Sequence, residues 1–200
     1  MNAGEGWAKV ERNSFKTLYV KDRKAWRSWF SRNHVKQKAI WLVFYKKHTA
    51  KPTISYEDAV QEALCFGWID STVRRLDEER YIQLFTPRKT GSNWSALNKR
   101  RVKLLLKQGL LTEAGLQKIE EAKKDGSWKK LDAVEKLRVQ PDLRHALSAN
   151  SKAKKNFAGL SSSRKKQFLW WIESAKREAT RAKRIEETVL RVAEGKTPGM

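Results

Sequence analysis

The sequence predicts an α+β fold: a small sheet with β-α-β-α-β-β order in the N-terminal half, then a helical C-terminal half ending in a long helix. Three observations carry that reading. Before Pro87, β-rich apolar runs alternate with stripes at helical spacing. After Pro87 the patterning turns helical. Apolar residues make up 40% of the 200 and nine are Trp, enough for a real core.

Phe15 to Lys21 reads as a first strand, and Asp22 can cap the helix after it, where Trp26, Trp29 and Phe30 form one stripe. Ala39 to Tyr45 is apolar without alternation, as in a strand covered on both faces. Ser55 with Asp58 suggests a capping box for a helix striped by Ala59, Val60, Ala63 and Leu64, which Gly67 stops. Trp68–Arg75 and Arg80–Thr86 read as two strands, with Tyr81, Gln83 and Phe85 on one side of the last and Ile82 and Leu84 on the other.

Beyond Pro87, Ser92 is placed to cap a helix holding Trp94, Leu97, Leu104 and Leu105, and Thr112 opens another that Gly126 stops. Asp132 and Glu135 suggest a capping box, Pro141 suits a first turn, and Asn150 and Gly159 suit helix stops. Phe168, Trp171, Ala175, Ala179, Ala182, Ile185, Val189 and Val192 recur at three and four, predicting one helix from Ser162 to Glu194. At 1.5 Å per residue it is ~50 Å long. A 200-residue globule has a radius of gyration of roughly 16 Å, so such a helix bends, overhangs or pairs. The expected divisions are an extension (1–14), an α+β domain (15–90), a basic helical pair (91–130), a C-terminal helical region (131–194) and a disordered tail (195–200).

The charge is the anomaly: 44 basic residues against 22 acidic leave a net +22. Self-repulsion on that scale favours a counter-charged partner: nucleic acid first, then a phosphorylated small molecule or anionic lipid. Pro87–Lys107 carries seven cations and no acid, among them Arg88, Lys89, Lys99, Arg100, Arg101 and Lys103. Lys152–Arg184 carries eleven against two acids, including Lys176, Arg177, Arg181, Lys183 and Arg184. Most such runs are solvated faces. Two details favour a binding surface here. Ser161, Ser163, Arg164 and Lys165 stand at a helix start, where the macrodipole disfavours cations unless an anion joins them. Ser92 and Trp94 begin the other basic helix beside Arg88 and Lys89, with Asn98 a turn further on.

Reactive chemistry is sparse. His34, His48 and His145 have no second ligand at zinc spacing, and no phosphate-binding or nucleophile motif occurs, so neither metal nor cofactor is expected. Cys65 is the only cysteine, beside an apolar stripe, and reads as a buried structural thiol in a cytoplasmic protein. The longest apolar run, Ala39 to Tyr45, falls far short of the ~20 residues of a membrane span. Asp70 is out of character in a strand; it either pairs with a cation or backbone donor, or serves a pocket as base or acceptor.

Ser55 to Ser71 (SYEDAVQEALCFGWIDS), Phe85 to Lys89 with Ser92 to Asn98, and Ala175 to Glu186 resemble blocks of the YdeI/OmpD-associated family over about residues 15–196. The resemblance implies a bacterial protein linked to bacteriocin protection and tolerance of cationic antimicrobial peptides. It carries no catalytic roles. The matching positions are Trp68, Asp70, Ser71, Pro87, Arg88, Ser92, Trp94 and Asn98. A chain of net +22 repels cationic peptides, so protection is expected to be indirect. The leading expectation is a non-enzymatic binder of an anionic partner. The alternatives are a cofactor-free enzyme or metabolite binder around Asp70, Arg88 and Trp94, and a scaffold docking a partner along the final helix.

Overall fold

The structure, a computed structural model, describes residues 15–198. The expected extension and the last two residues of the expected tail lie outside them. The described residues form two compact units: 15–92 with 98–125, and 93–97 with 126–198.

In the first unit, β1 (Thr17–Tyr19), α1 (Arg23–Asn33), β2 (Ile40–Tyr45), α2 (Tyr56–Cys65), β3 (Trp68–Arg75) and β4 (Arg80–Pro87) follow the expected order. The sheet order is β1-β2-β4-β3. β1 and β2 pair in parallel across the α1 crossover, and the other pairs are antiparallel. β2 lacks alternation because both of its faces are covered. Trp41 and Val43 pack with Ile82 and Leu84 on one face. On the other, Phe44 stacks on Tyr81, and Phe85 meets Trp26 edge to face.

Local chemistry sets the helix ends. Asp22 accepts from the Ala25 amide at 2.8 Å, and Ser55 Oγ accepts from the Asp58 amide at 3.0 Å. Trp26 and Phe30 are buried, and the Trp26 indole donates to the Ala59 carbonyl, tying α1 to α2. Gly67 ends α2 at φ +73°, a conformation costly for any side chain. α4 (Glu113–Lys124) then starts against that end: the Thr112 amide and hydroxyl both donate to the Cys65 carbonyl, at 3.1 and 2.6 Å. The positive end of α4 thus meets the negative end of α2. A Cβ on Gly115 would stand 2.3 Å from the Cys65 carbonyl oxygen, so only glycine allows this approach.

α3 (Ala96–Lys107) begins later than expected. Ser92 does not cap it; its hydroxyl donates to the Lys89 carbonyl within a turn, and Trp94 precedes the helix. Its buried residues are Arg101, Val102 and Leu105, whereas Leu97 and Leu104 are exposed.

The second unit holds α5 (Asp132–Glu135), α6 (Pro141–Ser148), α7 (Ser151–Gly159), α8 (Ser162–Glu173) and α9 (Glu178–Ala193) around Leu143, Leu147, Phe157, Phe168, Ile172 and Ile185. Pro141 takes the first turn of α6. Asn150, expected as a stop, also caps α7 by accepting from the Ala153 amide at 2.9 Å. The expected Asp132–Glu135 box does not form. The residue before α5 is Leu131, and Glu135 instead accepts from the Ala96 amide and Lys166.

The half does end in a long helix, α9, of 16 residues, but the stripe from Ser162 to Glu194 is not one helix. It breaks after Glu173. The Ser174 hydroxyl turns back to the Trp171 carbonyl, and the Arg184 guanidinium of α9 donates to that carbonyl at 2.5 Å and to Ser174 Oγ at 2.9 Å. A cation from α9 therefore helps to satisfy a carbonyl near the C-terminal end of α8. Among the described residues, no helix is long and apolar enough to cross a membrane.

Candidate functional site

Asp70 pairs with Phe85 and Val73 with Gln83, so β3 carries one extra residue and bulges at Ser71–Thr72. Beside the bulge, on the first unit, lies a cleft of about 620 Å³. Its polar lining is Gln37, Lys38, Ser71, Thr72, Thr86, Arg88 and Lys89, its apolar part includes Phe15, Val35 and Leu84, and no acidic residue lines it. The structure thus brings together three sequence-chosen candidates, Ser71, Arg88 and Lys89. Sequence reasoning missed Gln37, Lys38, Thr72 and Thr86. Thr86 stood inside the Phe85–Lys89 block, but nothing marked Lys38, which the turn before β2 supplies.

Arg88 is almost completely buried. Burial pulls its guanidinium down to about 10, with the Asp70 carboxylate acting the other way. Its amide donates to the Gly67 carbonyl at 2.9 Å, which anchors the residue to the turn ending α2. Lys38 and Lys89 are exposed at the rim.

Asp70 accepts from the Tyr56 hydroxyl at 2.7 Å and from the Gln83 side-chain amide at 3.2 Å, so this strand carboxylate is held by two neutral donors. Burial first, then this hydrogen bond, pushes the Tyr56 phenol up to about 12. Next to it, Arg101 grips Glu57 with Nε at 2.9 Å and Nη2 at 2.5 Å, and gives Nη1 to Asn98 at 2.8 Å. That grip is the main reason the Glu57 carboxyl is held down at about 2. Arg101, expected on the basic surface, is buried because its charge is matched by this carboxylate from α2. Further along α2, Glu62 is buried between Arg23 at 2.7 Å and Arg27 at 2.8 Å. Cys65 is buried, and its thiol is pushed up to about 11 by burial and then by the Glu62 charge.

Trp94 belongs to the helical unit and packs on Trp128 at 4.9 Å between ring centroids. Ser161 is used as the α8 cap, accepting from the Arg164 amide at 3.4 Å, and Arg164 is exposed. Ser163 lines a cleft with Glu135 and Lys166, while Lys165 lines a different one. Lys176, Arg177 and Lys183 are exposed, as are Arg100 and Lys103; Lys99 is half-buried. Arg181 and Arg184, expected on the basic surface, are structural. Arg181 pairs with Asp142 at 2.7 Å and Glu173 at 3.2 Å, and Arg184 closes the α8 end. The first basic stretch lies almost wholly in the sheet unit, and Lys152–Arg184 lies in the helical unit.

These features define an α+β chain: a helix-backed four-stranded sheet unit with a basic cleft, and an all-helical unit. Residues 18–118, half of the chain, match the family model described as a domain of unknown function (DUF8412), and the chain belongs to that family. Residues 136–195 match the model described as Bacteriocin-protection, YdeI or OmpD-Associated. The resemblance to that family therefore rests on the C-terminal helical region, which holds the Ala175–Glu186 block. The blocks at 55–71 and 85–98 fall within the first match. No curated protein and no solved structure matches the chain.

Proposed function

We propose that the protein is a cytoplasmic, non-enzymatic binder of an anionic partner, and that a phosphorylated small ligand places its anionic group in the cleft beside the β3 bulge. The observation that carries this is the lining: three cations and three hydroxyl side chains around one concavity, with no carboxylate facing it. A cleft of about 620 Å³ has the size of a small-molecule site. Hydroxyls and a buried guanidinium suit a phosphate group, which takes several charge-assisted hydrogen bonds at once. A cleft of about 620 Å³ is too small to seat a nucleic-acid duplex, so nucleic acid is the second reading, favoured by the net +22. A role in bacteriocin tolerance, implied by the C-terminal match, would be exerted through the bound ligand, since a cationic protein repels cationic peptides.

The test is calorimetric titration with inorganic phosphate, a nucleoside triphosphate and single-stranded DNA at about 50 and 200 mM salt. Lys38→Gln and Lys89→Gln alter exposed side chains and leave the fold intact. Each is expected to weaken binding of the phosphorylated probes about tenfold, the scale of one charge-assisted hydrogen bond at a partly wet site. Unchanged affinity in the double variant refutes the cleft. DNA binding that collapses with salt while the phosphates do not bind selects the second reading.

A further inference from the structure

A second cleft, of about 540 Å³, lies wholly within the helical unit. Its floor is apolar: Leu147 and Phe157 belong to the core, and Leu137 and Val139 pack against that core. Around the floor stand Arg138, Arg144, Lys154 and Lys165, and no acidic side chain lines the cleft. Among the described residues, none of these four cations is ion-paired. Arg144 donates to the Val139 carbonyl and Lys165 to the Ala158 carbonyl, both neutral acceptors. Elsewhere in the same unit cations meet carboxylates: Arg181 with Asp142, Lys166 with Glu135, and Arg191 with Glu187. Four cations around an apolar floor repel one another, and an anion seated there would relieve that repulsion.

Leu137 adds an independent point. It sits at φ +53°, the left-handed region that glycine fills at low cost after a helix, and its amide donates to Val134 in the turn ending α5. A leucine there carries strain that a glycine would avoid, and the residue forms part of the apolar floor of the cleft.

From this geometry we infer that the helical unit binds one molecule of a free, single-chain anionic amphiphile, with the alkyl chain on the Leu137–Leu147–Phe157 floor and the carboxylate, sulfate or phosphate head among the four cations. The volume suits a small ligand and is too small for an amphipathic protein helix. The inference does not rest on the sheet-unit cleft, so its test includes the Lys38→Gln/Lys89→Gln variant, expected to bind the amphiphile normally.

Full-length protein is titrated with octanoate, decanoate and dodecanoate below their micellar concentrations, with dodecanol as the uncharged control. The expected result is one site, affinity rising about fourfold per added methylene, and dodecanol at least tenfold weaker than dodecanoate. Ala158→Glu places a carboxylate at an exposed cleft position and is expected to abolish binding with the melting temperature unchanged; Arg144→Gln should weaken it about tenfold. Several equivalent sites, equal affinity for alcohol and carboxylate, a flat chain-length series, or Ala158→Glu binding like the parent each overturn the inference. So does binding to anionic vesicles without binding of the monomeric carboxylates, which points to a membrane surface instead.

Discussion

Removing the Glu57 carboxylate should destabilise the sheet unit through the cation it strands. Arg101 is 7% exposed and directs all three of its nitrogens at partners, two of them at Glu57. Taking one partner from a buried pair costs about 3–5 kcal/mol, most of it the penalty of an unmatched charge. The Glu57 side chain is 51% exposed, so water can reach part of the vacated site and the expected cost of Glu57→Ala falls to about 2 kcal/mol. Arg101→Met removes the charge that needs matching and leaves Glu57 solvated, so it should cost less, about 1 kcal/mol. The double variant should be no worse than Arg101→Met alone. Urea unfolding followed by tryptophan fluorescence measures all four corners of this cycle. Simple additivity, or a Glu57→Ala cost under about 0.5 kcal/mol, would refute the view that burial makes this pair matter. The pH dependence gives a second check. The folded carboxyl is held at about 2, below its ordinary value of 4.5, so the unfolded chain protonates first as pH falls. The pair's contribution is full above pH 4.5 and is lost as pH falls toward 2; in Glu57→Gln that acid limb should flatten.

Three further outcomes follow from packing and burial. Gly115→Ala should prevent the sheet unit from folding or lower its melting temperature severely, because the new methyl group meets the Cys65 and Leu64 carbonyls at 2.3 and 2.8 Å; circular dichroism melts will show it. The Tyr56 phenol should titrate near 12 by ultraviolet absorbance, and Asp70→Asn should bring it down; since the folded value lies above the ordinary 10, stability from this group is lost as pH rises from 10 toward 12. Cys65 should resist disulfide reagents at pH 8 until urea opens the fold, its thiol being buried and pushed up to about 11.

The β-α-β-α-β-β order was legible because its signals are local: Asp22 and Ser55 cap, Gly67 stops, and β2 reads as a run covered on both faces. The bulge at Ser71–Thr72 was not, since it is a matter of register between two strands and leaves no mark in either. The break between α8 and α9 escaped for a similar reason. No proline or glycine stands there, the Ala-rich stripe runs through it, and the interruption is completed by Arg184 ten residues after Ser174. Arg101 looked like surface because its partner stands 44 residues away in sequence. The basic-cleft candidates Ser71, Arg88 and Lys89 were readable from the family-like blocks, whereas the four cations of the helical cleft are spread over 138–165 and converge only through the packing of α6, α7 and α8.

β3 is an outermost strand of the sheet, where unsatisfied amides and carbonyls invite edge-to-edge association with another chain. The displaced register at Ser71–Thr72 interrupts that template midway, and Arg74 and Arg75 put two cations along its remainder. A straightened β3, with the extra residue deleted and both arginines replaced by valine, would present a continuous sticky margin. The register shift beside the basic cleft is therefore also expected to discourage edge-to-edge growth of this sheet.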